Sequence, residues 1–92
     1  MIAVTLYTQP GCDLCHEAKA ELTALAPQFP HQLIEVNINE DAQLFARYQH
    51  LIPVVVIGET RLVYPFSALD LHAALHATPD APAEPNRNPY GL

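Results

Sequence analysis

Apolar and polar positions alternate from the first residues of the chain. Ile2, Val4 and Leu6 are interleaved with Ala3, Thr5 and Tyr7, the period of a half-buried strand. Pro10-Gly11 interrupts the pattern, and from there the period lengthens. Leu14, Ala18, Leu22 and Leu25 follow at steps of four, four and three, one face of a 3.6-residue helix. Pro27 and Pro30 end that helix and force a connector. Leu33, Ile34, Val36 and Ile38 then make a second short strand. The polar run from Asn37 to Asp41 turns the chain, with Asn39 expected as the N-cap of a helix over roughly Glu40 to Tyr48; Leu44, Phe45 and Tyr48 are its apolar contacts. Leu51 to Ile57 is the most apolar run and is expected to be the central strand, closed by Gly58. Gly58-Glu59-Thr60 forms a hairpin turn into a strand from Arg61 to Tyr64. Ser67-Ala68-Leu69-Asp70 has the form of a capping box with Asp in the fourth place, opening a last helix that carries Leu69, Leu71 and Leu75. The order βαβαββα places the chain in the α/β class.

From Thr78 the composition changes. Pro79, Pro82, Pro85 and Pro89 crowd a segment with almost no large apolar side chain before Tyr90. The expected organisation is one domain over residues 1–77 and a Pro-rich flexible tail over 78–92. Half of the 92 residues are apolar, enough for one modest core and too few for two.

The formal net charge is −6, with only four Lys and Arg: Lys19, Arg47, Arg61 and Arg87. No basic stripe exists to neutralise phosphates or meet an anionic lipid surface, so nucleic acid and membrane partners are not expected. No run approaches the about 18 apolar residues of a membrane span, and the N-terminus enters a strand without a basic leader. The expected compartment is the cytoplasm, and the expected state is a monomer.

The candidate chemistry lies at the first turn of the first helix. Cys12-Asp13-Leu14-Cys15 sets two thiols where unsatisfied backbone N–H groups and the positive end of the helix dipole favour an anion, and a thiolate is such an anion. Two intervening residues bring the sulfurs within bonding reach, the arrangement needed for thiol–disulfide exchange. The first cysteine, nearer to solvent and to the N–H groups, is the expected nucleophile, and Cys15 the resolving thiol. Asp13 beside the attacking sulfur opposes the thiolate electrostatically and works against the helix terminus. His16 would offset Asp13 if protonated and turned toward the sulfurs. The expected couple therefore lies on the reducing side. Two other readings use the same residues. Cys12, Cys15 and His16 have the form of half a zinc site, but no further cysteine completes it, and His31, His50, His72 and His76 are scattered, although His72 and His76 are four apart on one helix. Alternatively, the two cysteines act only as small buried hydrophobes. No metal is expected.

Leu6-Tyr7-Thr8-Gln9-Pro10-Gly11-Cys12-Asp13-Leu14-Cys15 resembles the glutaredoxin-like branch of the thioredoxin superfamily, and the resemblance extends to about residue 77. It implies a thioredoxin-like fold, with a central mixed four-stranded sheet and helices on both faces. It implies a dithiol oxidoreductase with catalytic Cys12 and Cys15, no bound cofactor, and an external thiol reductant such as glutathione or a thioredoxin-reductase-type system. Protein or small-molecule disulfides are the implied substrates. In this superfamily a proline in the context of Ile52-Pro53 is cis and faces the cysteines. Ile52 and Pro53, with Asp13 and Leu14, are thus the implied substrate-binding residues, the Ile52 backbone pairing with an extended substrate. A trans proline tolerated at a strand's first residue is the structural alternative.

The substrate is less well marked. Glutaredoxins that use glutathione generally have a basic residue shortly before the first cysteine, a Tyr between the two, and a Gly-Gly opening the last helix. Here Gln9, Leu14 and Val63 to Ser67 stand in those places. The Ser67 helix terminus remains a place for a carboxylate. Tyr7 is expected to pack beside the site, and Glu17, Glu21, Glu35, Glu40 and Asp41 to line solvated faces without catalytic roles. A non-catalytic thioredoxin-fold binding or adaptor module, or a redox sensor, is the alternative function.

Overall fold

The computed structural model describes residues 1–79. The expected tail falls almost wholly outside the described residues. The chain runs β1 (Ile2–Thr8), α1 (Asp13–Leu25), β2 (His31–Asn37), a 3-10 turn (Ile38–Glu40), α2 (Ala42–Tyr48), β3 (Val54–Ile57), β4 (Thr60–Val63) and α3 (Ala68–Ala77). The four strands form one mixed sheet in the order β2-β1-β3-β4. β1 pairs parallel with β2 through all seven residues and antiparallel with β3, which pairs antiparallel with β4. This is a thioredoxin-like α/β fold with helices on both faces.

Alternation along β1 decides which helix meets which face. Ile2, Val4 and Leu6 point to the side where Ala18 and Leu22 of α1 and Leu71, Ala74 and Leu75 of α3 close the main core together with Val55 and Ile57. Tyr7 and Val54 point the other way, where Ile38, Leu44, Tyr48 and Ile52 form a smaller cluster. The α1 stripe differs from the expected one. Its buried residues are Cys15, Ala18 and Leu22, while Leu14 is 39% exposed. Leu14 sits at the margin of the stripe on the first turn, and Cys15 takes the inward position.

The second helix also starts differently. Ile38 is buried, and the 3-10 turn that carries it inward occupies the residues expected to end a strand and cap a helix. Asp41, not Asn39, caps α2, its Oδ1 accepting from the N–H groups of Gln43 at 2.9 Å and Leu44 at 3.1 Å. Leu51 and Ile52 lie outside β3 because their N–H groups donate to the Tyr48 carbonyl at the end of α2, at 2.8 and 3.2 Å. Pro53, which has no N–H to give, precedes the first paired residue. At α3 the capping box is complete: Asp70 N–H donates to Ser67 Oγ at 3.2 Å and Ser67 N–H to Asp70 Oδ2 at 2.8 Å.

One consequence of the strand directions positions the site. β1 and β2 end, and β3 begins, at the same end of the sheet, where β4 also ends. The segments Gln9 to Cys12, Ile38 to Asp41, Ile52-Pro53 and Tyr64 to Ser67 therefore gather there.

Candidate functional site

At that end the chain leaves β1 through a tight turn. The Cys12 N–H donates to the Gln9 carbonyl at 3.2 Å, with Pro10 and Gly11 as the central pair. Gly11 has φ +80°, the left-handed value that the third position of a Pro-Gly turn requires and that a side chain disfavours. Cys12 then serves as the N-cap of α1 in extended conformation (φ −87°, ψ 103°). Its Sγ accepts the Cys15 N–H at 3.1 Å, filling the place that a Ser, Thr or Asp oxygen usually fills. The His16 N–H to Cys12 carbonyl bond, 3.1 Å, starts the helix.

Cys12 and Cys15 are joined by a disulfide, with Cα atoms 5.2 Å apart. The two sulfurs are not equivalent. Cys15 is 2% exposed and anchored in the helix, whereas Cys12 is half-buried at its mouth. An N–H group aimed at Cys12 and the positive terminus of α1 both favour negative charge on that sulfur.

The Ile52–Pro53 peptide is cis. Pro53 is fully buried, and its carbonyl accepts the Tyr64 N–H at 3.2 Å. The Tyr7–Val54 pairing is the last of β1 with β3 on this side, so Thr8 and Pro53 continue from it at the cysteine end of the sheet. Ile52 packs with Tyr7 and Leu44 against the smaller cluster. The Tyr7 ring lies 4.8 Å from that of Tyr48, a packing position. The Asp13 side chain is exposed and makes no hydrogen bond or ion pair among the described residues.

Four features of this end were not anticipated. A cleft of about 420 Å³ opens between α1 and β2, with Cys12, Asp13, Cys15, His16, Lys19 and Glu35 on its walls. Across it Lys19 Nζ pairs with Glu35 Oε2 at 2.9 Å, and both side chains stay exposed, Glu35 on the solvated face expected for it. The signal lay in the parallel register: Glu35 partners Leu6 and so shares the face that α1 covers. Gln9 Nε2 donates to Asn39 Oδ1 at 2.7 Å, tying the cysteine turn to the 3-10 turn. Finally, Tyr64–Pro65 is a second cis peptide at this end of the sheet. No group of three metal-ligating side chains occurs among the described residues.

The fold and the paired cysteines at a helix N-terminus define a thioredoxin-fold protein with a Cys-x-x-Cys motif. The chain belongs to a glutaredoxin-like family: the family model described as Glutaredoxin-like domain (DUF836) matches residues 3–76. Among solved structures, target protein XcR50 from X. campestris is 35% identical, covering 83% of this chain and 99% of its own, with TM-score 0.66. Protein Ne2328 from Nitrosomonas europaea is 25% identical, covering 78% of this chain and 88% of its own, with TM-score 0.67. The oxidised mitochondrial thioredoxin 3 of Saccharomyces cerevisiae is similar in fold alone, at 15% identity, 82% and 76% coverage and TM-score 0.60. No helix among the described residues is long and apolar enough to cross a membrane.

Proposed function

We propose that this protein is a dithiol thiol–disulfide oxidoreductase acting through Cys12 and Cys15. The observation that carries the reading is the disulfide at the N-terminus of α1, with Cys12 Sγ held by the Cys15 N–H and Cys15 buried behind it. In the reduced protein the Cys12 thiolate attacks one sulfur of a substrate disulfide RSSR. The substrate S–S bond breaks, one RS⁻ leaves, and a Cys12–SR mixed disulfide forms. Cys15, after giving up its proton, attacks Cys12 Sγ and expels the second RS⁻. Both departing thiolates take up protons, so the protein dithiol and RSSR become the protein disulfide and two RSH.

An external thiol reductant closes the cycle, and no bound cofactor takes part. Ile52 and Pro53 share the cysteine end of the sheet and would offer backbone to an extended segment of a protein substrate. Leu14, 39% exposed beside Cys12, would add apolar contact, and Asp13 an electrostatic one. The protein is proposed to work as a cytoplasmic monomer on protein or small-molecule disulfides.

Steady-state reduction of hydroxyethyl disulfide and of an insulin disulfide tests the proposal. Cys12→Ser should abolish turnover of both. Undiminished turnover in that variant, or none in the wild-type protein, contradicts it, and the latter result leaves the adaptor reading.

A further inference from the structure

The cleft between α1 and β2 brings the reactive sulfurs and an uneven set of charges into one small space. At about 420 Å³ it has the size of a small-molecule site, and both cysteines form part of its wall. Lys19 and Glu35 largely cancel each other at 2.9 Å. Asp13 is left with no ion pair among the described residues, so the cleft carries a negative excess when His16 is neutral. Neither described arginine corrects it. The Arg47 guanidinium lies over the Tyr48 ring, 5.4 Å from its centroid, on the α2 side. Arg61 partners Val56, on the sheet face away from α1. The chain as a whole carries −6.

From this we infer that the small-molecule disulfides this site takes carry amino groups rather than carboxylates, with the half that leaves seated in the α1–β2 cleft. The inference rests on the oxidoreductase reading and names the substrate class for the same site. An ammonium group has three donors and a compact charge to meet the Asp13 carboxylate and the lone pairs of Glu35 not used by Lys19. A carboxylate in the same place meets Asp13 and the Cys12 thiolate, with the one cation of the cleft already engaged. The chemistry is the exchange written above, with R bearing the ammonium: the Cys12 thiolate displaces one aminothiol, and Cys15 displaces the other.

The test uses the reduced full chain at pH 8. Rates are measured for three disulfides of similar size: cystamine, with two ammonium groups; hydroxyethyl disulfide, uncharged; and dithiodiglycolate, with two carboxylates. Oxidised glutathione serves as a larger, net anionic arm. Each rate is divided by that of the same disulfide with free dithiothreitol, which removes intrinsic reactivity. An exposed charge contact is worth up to about fivefold. Attraction of the cation and repulsion of the anion together should favour cystamine over dithiodiglycolate by roughly tenfold at low ionic strength, and the preference should shrink as salt shortens the screening length.

Asp13→Asn and Glu35→Gln should each lower the cystamine to dithiodiglycolate ratio, and Lys19→Gln should raise it. Within each variant the ratio is taken between substrates, so a general loss of fold or reactivity divides out. A corrected ratio of one or below overturns the inference, as does a ratio that neither Asp13→Asn nor Glu35→Gln changes. Turnover of the uncharged disulfide without charge preference sinks only this inference. No turnover of any disulfide sinks the oxidoreductase reading with it.

Discussion

The backbone N–H of Cys15 donates to the Sγ of Cys12 at 3.1 Å. One sulfur is thus both the N-cap of α1 and half of a disulfide, so the contact that caps the helix also favours charge on the more accessible thiol. In an N-cap the acceptor is usually an oxygen; a sulfur in that place is a weaker acceptor as a thiol and a stronger one as a thiolate. The local fold and the proposed reactivity therefore depend on the same few atoms.

Separate duties for the two sulfurs predict a trapped intermediate. Reduced Cys15→Ser, mixed with one equivalent of hydroxyethyl disulfide and no other thiol, should accumulate a mercaptoethanol adduct on Cys12, seen as a mass increase in the intact protein and placed by peptide mapping. Cys12→Ser under the same conditions should form far less adduct, because its remaining sulfur is only 2% exposed in the native chain.

Asp13 predicts a shift in the redox couple. Its carboxylate disfavours the neighbouring thiolate, so removing the charge stabilises the reduced protein and moves the potential toward less negative values. The side chain is exposed, and a contribution of under about 1 kcal/mol corresponds to about 20 mV or less for two electrons. Asp13→Asn should therefore raise the midpoint by that order in a redox titration.

At Gly11 the prediction concerns backbone geometry alone. A Cβ built there meets nothing within 4 Å, but φ is +80°. Gly11→Ala should then destabilise the oxidised protein by about 1–2 kcal/mol through conformation rather than collision. Gly11→Asn should lose less, because Asn tolerates the left-handed region. Urea unfolding of the two variants measures the difference.

Two leucines separate core from surface. Leu22 is fully buried between α1, the sheet and α3, and Leu22→Ala should cost about 2–5 kcal/mol in urea unfolding. Leu69 is 77% exposed on the first turn of α3, and Leu69→Ala should stay within about 0.5 kcal/mol of wild type.

What was legible in the sequence was what local chemistry determines. The alternation of Ile2, Val4 and Leu6, the Pro10-Gly11 break and the Ser67 to Asp70 capping box each involve residues close in the chain, and each element forms where they place it. The fold class followed from the order of those elements and from the likeness around the cysteines. Features that depend on distant partners were not legible. Asn39 and Asp41 are both good caps, and the choice fell to Asp41 because burying Ile38 used the preceding residues. Lys19 and Glu35 are sixteen positions apart, and only the parallel pairing of Leu6 with Glu35 turns the carboxylate toward α1. Leu14 and Cys15 compete for one inward position on a helix, and a hydrophobic pattern favours the leucine.

The most direct test of the central claim is a redox titration of the Cys12–Cys15 couple against defined thiol–disulfide buffers, read by alkylation of free thiols. A reversible single transition with a two-electron slope is predicted, with a midpoint nearer the about −270 mV of thioredoxin than the about −120 mV of the most oxidising members of the superfamily. A pair that stays oxidised or reduced across that whole span, or that exchanges only after unfolding, would contradict it.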